Sequence, residues 1–499
     1  EQIVIDRPEL DVRRTRDGRL EVAGLALSGS TDAGSGADRF FDQTEFAVRG
    51  GTLRWTDEQR GAPPLALSAV DLVVRNGARD HRWRIDATPP ADWGGRFTLQ
   101  GRFREPLLSV GHPAGSRPWD RWSGELHAAL PQADVQRLQA YLPAHLPALP
   151  GLLVRGGQGR LQLWADVEAG RFSGVQADVD LQSVDVQLGA DLPPLAFTHI
   201  AGRLQASWSD ASWRLGSEDL RFLTREGVAW EGGRFSLAQL PAGPLARGAT
   251  PAGHLELSAN GIELAAVAAL AERLPLPAPV HLWVQTLQPA GRVQNLQARW
   301  DGPDLTGLKA SGLVQGLALA GDAVPASVDG ETPARRIGRP GIEGATVQFD
   351  LQRDRGTARL TVQDGALWLP GVFEEARLPL TRLDAQARWR LDGDRIEVEL
   401  SDAKLANPDA RGTLQARWNT TPGAQGAARF PGVLDLSATL EQAELTRVHR
   451  YLPLSVGTEA RRYVREAVRG GTGTAVNFRV QGDVARVPFD AGDGTFRIS

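Results

Sequence analysis

The sequence predicts a mainly β protein: a long curved antiparallel β-sheet forming a hydrophobic groove, with a few short helices. Three observations predict it. Short runs alternate apolar and polar residues along nearly all of the 499 residues, as in a sheet with one apolar face. Turn sequences such as Asp17-Gly18 punctuate those runs. Helical spacing is confined to brief stripes that stop at proline, namely Val135/Leu138/Leu142 before Pro143, Val267/Leu270/Leu274 before Pro275 and Leu445/Val448/Leu452 before Pro453.

Taken in order, residues 1–27 read as two alternating runs joined through Arg16-Asp17-Gly18, followed by a loop at Ser28–Asp38. From Phe40 to Phe103 the alternation continues, with Phe97, Leu99 and Phe103 set against Thr98, Gln100 and Arg102, up to a Pro/Gly-rich break at Gly111–Pro118. Three units then begin at Gly124, Gly253 and Gly432, each a strand, a proline-terminated helix and further strands. The expected segments are 1–123, 124–252, 253–431 with an inserted mobile loop near 322–344, and 432–499. The last unit alone is expected to carry a second helix, Thr458–Arg469, with Thr458 as N-cap, Gly470 as stop and an apolar face of Ala460, Tyr463, Val464, Ala467 and Val468. The helices belong at edges or ends of a sheet of about 30 strands, since open sheets rarely pass about 10 strands without curling or splitting.

Composition removes several function classes. The net charge is −4 with both signs interspersed, so no footprint for nucleic acid exists. Cysteine is absent, which excludes disulfides, Cys-based metal sites and a Cys nucleophile. Histidines 81, 112, 127, 145, 199, 254, 281 and 449 show no paired ligand spacing, and no GxSxG or Walker pattern occurs. Gly-Gly-x-Gly at 156–159 and 470–473 precedes strands, so tight turns are expected there in place of a phosphate loop. Glu397 and Glu399 share a strand face without a partner across a cleft. No catalytic residue, metal or cofactor is expected, and the chain reads as a non-enzyme. Methionine is absent even at position 1, so the chain reads as a piece with any N-terminal signal or anchor left outside it, and the strand pattern is cut at Ser499, where more strands are expected to follow. The apolar run Ile262–Leu274 is too short to span a bilayer.

The opening VIDRPELDVRRTRDGRLEVAGLAL (Val4–Leu27), the Tyr-Leu-Pro helix ends and the stretch from Tyr451-Leu452-Pro453 through GGTGTAVNFRVQGDVARVPFDAGDGTFRI (Gly470–Ile498) resemble the AsmA-like family of bacterial envelope proteins, YhdP type. Arg462-Tyr463-Val464 departs from that pattern, where a Trp-Leu pair is expected. The resemblance implies a periplasmic protein anchored to the inner membrane, whose curved sheet carries phospholipids between inner and outer membranes. It also implies contacts with other envelope proteins. The alternative is a TamB-like scaffold or assembly factor for outer-membrane β-barrel proteins.

On this reading the lipid-binding residues are Leu161, Leu163 and Val167; Leu255 and Leu257; Val347, Phe349 and Leu351; Ile396, Val398 and Leu400; Leu434 and Leu436; and Val476, Phe478 and Val480. Arg461, Arg465 and Arg469, at i, i+4 and i+8, are the candidates for headgroup or membrane contact. Alternation alone fits a β-sandwich with two packed apolar faces equally well.

Overall fold

The computed structural model describes residues 2–17, 19–22, 25–26, 44–59, 61–106, 121–139, 141, 153–241, 253–302, 305–322, 337–489 and 492–499. The predicted loops at 28–38 and 111–118, Leu142 with Pro143, and most of 322–344 lie outside them. Strand accounts for 63% and helix for 11%, so the class is mainly β, and the sheet is open. The chain divides into two compact units, one of residues 1–241 with 272–275 and the other of 242–271 with 276–499.

In the first unit the strands are β1 (Gln2–Asp6), β2 (Glu9–Arg14), β3 (Leu20–Val22), β4 (Leu25–Ala26), β5 (Glu45–Asp57), β6 (Ala62–Asn76), β7 (Asp80–Thr88) and β8 (Phe97–Arg104). They are followed by β9 (Ser123–Asp134), β10 (Leu153–Val154), β11 (Gln158–Glu168), β12 (Arg171–Gln187), β13 (Leu195–Trp208), β14 (Trp213–Thr224), β15 (Ala229–Trp230) and β16 (Arg234–Leu240). From β5 to β9, and on through β11, β12, β13, β14 and β16, each strand lies antiparallel to the one before. β2 and β3 form the expected hairpin. The sheet is nonetheless mixed, because β1 and β2 both pair parallel with β5. Arg7 and Pro8 separate β1 from β2, and Arg7 holds a positive φ of 49°.

In the second unit the strands are β17 (His254–Asn260), β18 (Ile262–Glu263), β19 (Ala290–Asp301), β20 (Thr306–Leu319), β21 (Gly341–Gln352), β22 (Arg355–Trp368) and β23 (Arg377–Asp392). β24 (Arg395–Ala406), β25 (Ala410–Asn419), β26 (Val433–Glu444), β27 (Thr472–Gly473), β28 (Val476–Asp483) and β29 (Thr495–Ile498) complete it. An antiparallel ladder runs from β17 to β19, through β20 to β26 in order, and on to β28 and β29. The described strands of this unit form one open sheet and not two separate sheets, which speaks against the sandwich alternative.

Bulges shape these long strands. Asp219, Asn295, Asp364 and Asp402 have φ near +50° and lie where the register shifts. Asp and Asn tolerate this left-handed conformation better than most residues, and the extra residue bends the strand and increases its twist.

The helices differ from expectation. α1 (Val135–Gln139) and α2 (Leu264–Leu270) form on the predicted stripes, whereas Leu445–Tyr451 is a 3₁₀-helix. The second helix of the last unit has a counterpart, because α3 (Ala278–Leu287) follows α2. Its short stripe after Pro277 was the missed signal. The predicted helix at 458–469 is α4 (Thr458–Ala467), capped at Gly457 with no side-chain bond and ending before Arg469.

α2, α3, α4 and the 3₁₀-helix Leu445–Tyr451 lie at one rim of the second unit's sheet, while two short 3₁₀ turns, Gly426–Arg429 and Val484–Arg486, lie at the other. α3 meets the strand ends through Ala320 N to Leu287 O at 3.1 Å and Arg339 Nη2 to Thr286 O at 2.7 Å. The 3₁₀-helix is tied to the β24–β25 turn and to the loop before β23, with Leu454 N donating to Val372 O at 2.9 Å. The opposite rim carries the β21–β22 and β23–β24 turns and the β25–β26 connection. A core cluster of buried apolar residues lies toward the helix rim: Ala345, Val362, Leu380, Leu383, Ala385 and Ala403.

Candidate functional site

Register decides which predicted residues share a face. In β11, Leu161 pairs with Leu130 and Val179, and Leu163 with Ala128 and Ala177. Val167 faces Gly124 and Phe172 in the same alternation. The row through Leu163 is apolar across neighbouring strands: Val48, Leu72, Ile85, Leu99, Ala128, Leu163, Ala177 and Leu204. Leu161 and Leu163 also belong to a cluster with Leu138 of α1, so part of this predicted lining is packed by the helix.

In the second unit every predicted lining residue falls on one face. One row runs Leu257, Ala298, Ala310, Leu351, Gly356, Trp389, Val398, Trp418 and Leu434. The next runs Gly312, Phe349, Ala358, Ala387, Leu400, Ala416, Leu436, Val480 and Phe496. Val347 pairs with Val314 and Leu360; Phe478 pairs with Ala438 and Val476 with Leu440. Leu255 stands opposite Trp300, and Ile396 opposite Leu391. Val480 is buried, whereas the other predicted lining residues of this unit are only partly buried.

Glycines make room for aromatic rings on this face. A Cβ on Gly356 would lie 2.2 Å from the Trp389 ring, so the indole lies across the glycine of the adjacent strand. Phe349 covers Gly312 in the same way, at 3.1 Å from an added Cβ. Such cross-strand pairing lets a large ring lie along the sheet and cover backbone.

The opposite face is polar and laced with ion pairs such as Arg417–Glu399 at 3.4 Å and Arg479–Asp435 at 2.8 Å. An open concavity of about 890 Å³ lies mainly over this side. Its lining includes Gln297, Gln348, Asp350, Arg359, Gln386 and Arg388, which alternate with the apolar rows. Phe349 is the one predicted lining residue at its margin. A twisted sheet is saddle-shaped, so hollows form on both of its sides. This one does not coincide with the apolar face.

The Tyr-Leu-Pro motif has a structural task. The Tyr451 hydroxyl donates to Asp409 Oδ2 at 2.9 Å and accepts from Asn407 Nδ2 at 2.8 Å. Arg450 Nη1 donates to the same Asp409 oxygen at 2.6 Å, and its other nitrogens reach Glu375. Burial, reinforced by Asp409, pushes the Tyr451 phenol up to about 12. Hydrogen bonding to Arg450 holds the Glu375 carboxyl below its usual value. In the first unit Tyr141 donates to Pro63 O at 2.5 Å. Both tyrosines therefore tie a helix to strand ends.

The arginine stripe is divided by the fold. Arg461 Nη1 donates to Leu454 O at 2.8 Å and Val456 O at 2.7 Å, which commits it to holding the preceding loop. Arg465 pairs with Glu374 at 3.1 Å, and Arg469 lies beyond the helix. The expected packed apolar face of this helix is largely exposed, with Tyr463 at 72%.

Among the described residues no group of three or more His, Asp or Glu side chains is placed to hold a metal, and no helix is long and apolar enough to cross a membrane. No curated protein matches the chain, and no solved structure does. The YhdP protein family model matches residues 1–499, and the chain belongs to the YhdP family.

Proposed function

We propose that this chain is a non-enzymatic, bridge-like lipid-transfer segment that carries phospholipid acyl chains along its apolar face between inner and outer membranes. Membership of the YhdP family supports an envelope-associated role. The observation that carries the lipid reading is the apolar face of the second unit, continuous across successive strands and, apart from Val480 and the cluster toward the helix rim, only partly buried. Two chains of about 16 carbons cost roughly 25 kcal/mol in water at ~0.8 kcal/mol per CH₂. A face of this kind removes most of that cost without any residue performing chemistry. The full-length protein is then periplasmic and anchored to the inner membrane, with phospholipids, both membranes and envelope proteins as partners.

The test is lipid extraction from the purified chain with identification by mass spectrometry, paired with photocrosslinking from Phe349 or Phe478. Co-purified phospholipid and lipid adducts are expected. Protein adducts alone would favour a scaffold for outer-membrane β-barrel proteins and end the transfer reading.

A further inference from the structure

Resting on the lipid-transfer reading, we propose that the turn rim of the second unit is the headgroup side of its apolar face. A diacyl phospholipid lies along the strands there, with its chain ends toward the helix rim. Along β23 burial falls from the helix rim to the turn rim: Leu380 is 8% exposed, Ala385 4% and Leu391 41%. The α-helices and their tethers occupy the first rim, whereas the turn rim carries only turns and two short 3₁₀ segments, which leaves it as the mouth.

Aromatic residues mark that mouth. Trp300, Trp389 and Trp418 lie on the apolar face near the turns. Phe430, half exposed, stacks on Trp418 at 6.1 Å. Trp418 donates to Pro431 O at 2.8 Å, but the indole N–H groups of Trp300 and Trp389 have no protein acceptor among the described residues. An indole with an apolar body and an unused donor suits the boundary between acyl chain and ester or phosphate oxygen.

Charge on the outer side of this rim is complementary to a headgroup. Arg299 stands between Lys309 and Glu256, and Arg390 between Arg355 and Glu397, so each has one like-charged cross-strand neighbour, which is unfavourable, and one of opposite charge. Arg299, Lys309 and Arg390 form no ion pair among the described residues. Nor do the nearby carboxylates Asp350 and Asp392, so the rim offers both signs to a phosphate and an amine.

The lengths agree. One acyl chain takes half of the ~30 Å hydrocarbon core of a bilayer, which equals the rise of about four to five strand residues. From Trp389 that distance reaches Ala385, at the edge of the buried cluster.

Phosphatidylethanolamine carrying a diazirine either beside the glycerol or at the acyl terminus tests the orientation. After irradiation of the loaded chain, peptides are mapped by mass spectrometry. The glycerol-proximal probe is expected to label peptides containing Trp389 and Phe430 several-fold more than those containing Val347 and Leu360, and the terminal probe the reverse. Inverted or identical maps overturn the orientation while leaving lipid binding intact. No labelling by either probe overturns the lipid reading itself.

Discussion

Asp409 accepts the Tyr451 hydroxyl at 2.9 Å on the same carboxylate oxygen that receives Arg450 at 2.6 Å. The carboxylate is 8% exposed, so two strand ends and a 3₁₀-helix meet at one desolvated oxygen. Asp409→Ala leaves a largely buried guanidinium with Glu375 alone and is expected to destabilise the chain by about 2–4 kcal/mol. Tyr451→Phe, which loses two neutral or singly charged hydrogen bonds, should cost about 1–2 kcal/mol. Urea midpoints for both variants check the order.

Alkaline pH should act through the same phenol. Its folded value of about 12 lies above the ~10 of an unfolded tyrosine. The contribution is therefore complete below pH ~10 and disappears as pH rises through the folded value. Urea midpoints measured across that window should fall less steeply for Tyr451→Phe than for the parent chain. Parallel slopes would show that the phenol does not report on folding.

Gly356→Val drives a branched side chain into the Trp389 ring, 2.2 Å from an added Cβ. A loss of about 1–3 kcal/mol is expected from overpacking, with a changed near-UV signal from the displaced indole. Gly470→Ala is the control, because nothing lies within 4 Å of its added Cβ.

Arginine placed on the apolar face should separate binding from folding. Val398 is partly buried, so Val398→Arg is expected to keep the fold and lower phospholipid retention by obstructing the face. Ala403 is 1% exposed, and Ala403→Arg buries an unpaired charge at a cost of several kcal/mol. Circular dichroism and lipid content of the purified variants give the two readings. Equal unfolding of both would show that the face is closed at Val398.

Tyr463, at 72% exposure, contributes little to packing. Tyr463→Ala should change the urea midpoint by no more than about 0.5 kcal/mol in stability.

The alternation of Val347, Phe349 and Leu351 with Gln348 and Asp350 was sufficient to identify both the strand and its apolar side, because a strand places successive side chains on opposite faces. The same property puts the residues expected to line the second unit on one face. Bulges were less legible: Asp364 and Asp402 look like ordinary polar strand residues until the partner strand shows the register shift. α3 was missed because its ten residues give a short, weak stripe. Arg461, Arg465 and Arg469 were grouped by helical spacing, but spacing carries no information about Leu454 and Val456, whose carbonyls engage Arg461.

By itself, the sequence determined the β class, the apolar alternation, the family resemblance and the proline-ended helical turns, all of which depend on residues close along the chain. Only the tertiary structure decided that β1 and β2 run parallel to β5, that the α-helices of the second unit share one rim and that Arg450 and Tyr451 converge on Asp409. It also decided that the apolar face of that unit stays partly open. Those features arise from pairings between residues tens of positions apart, where the partner, the register and the burial are set together and no local pattern specifies them.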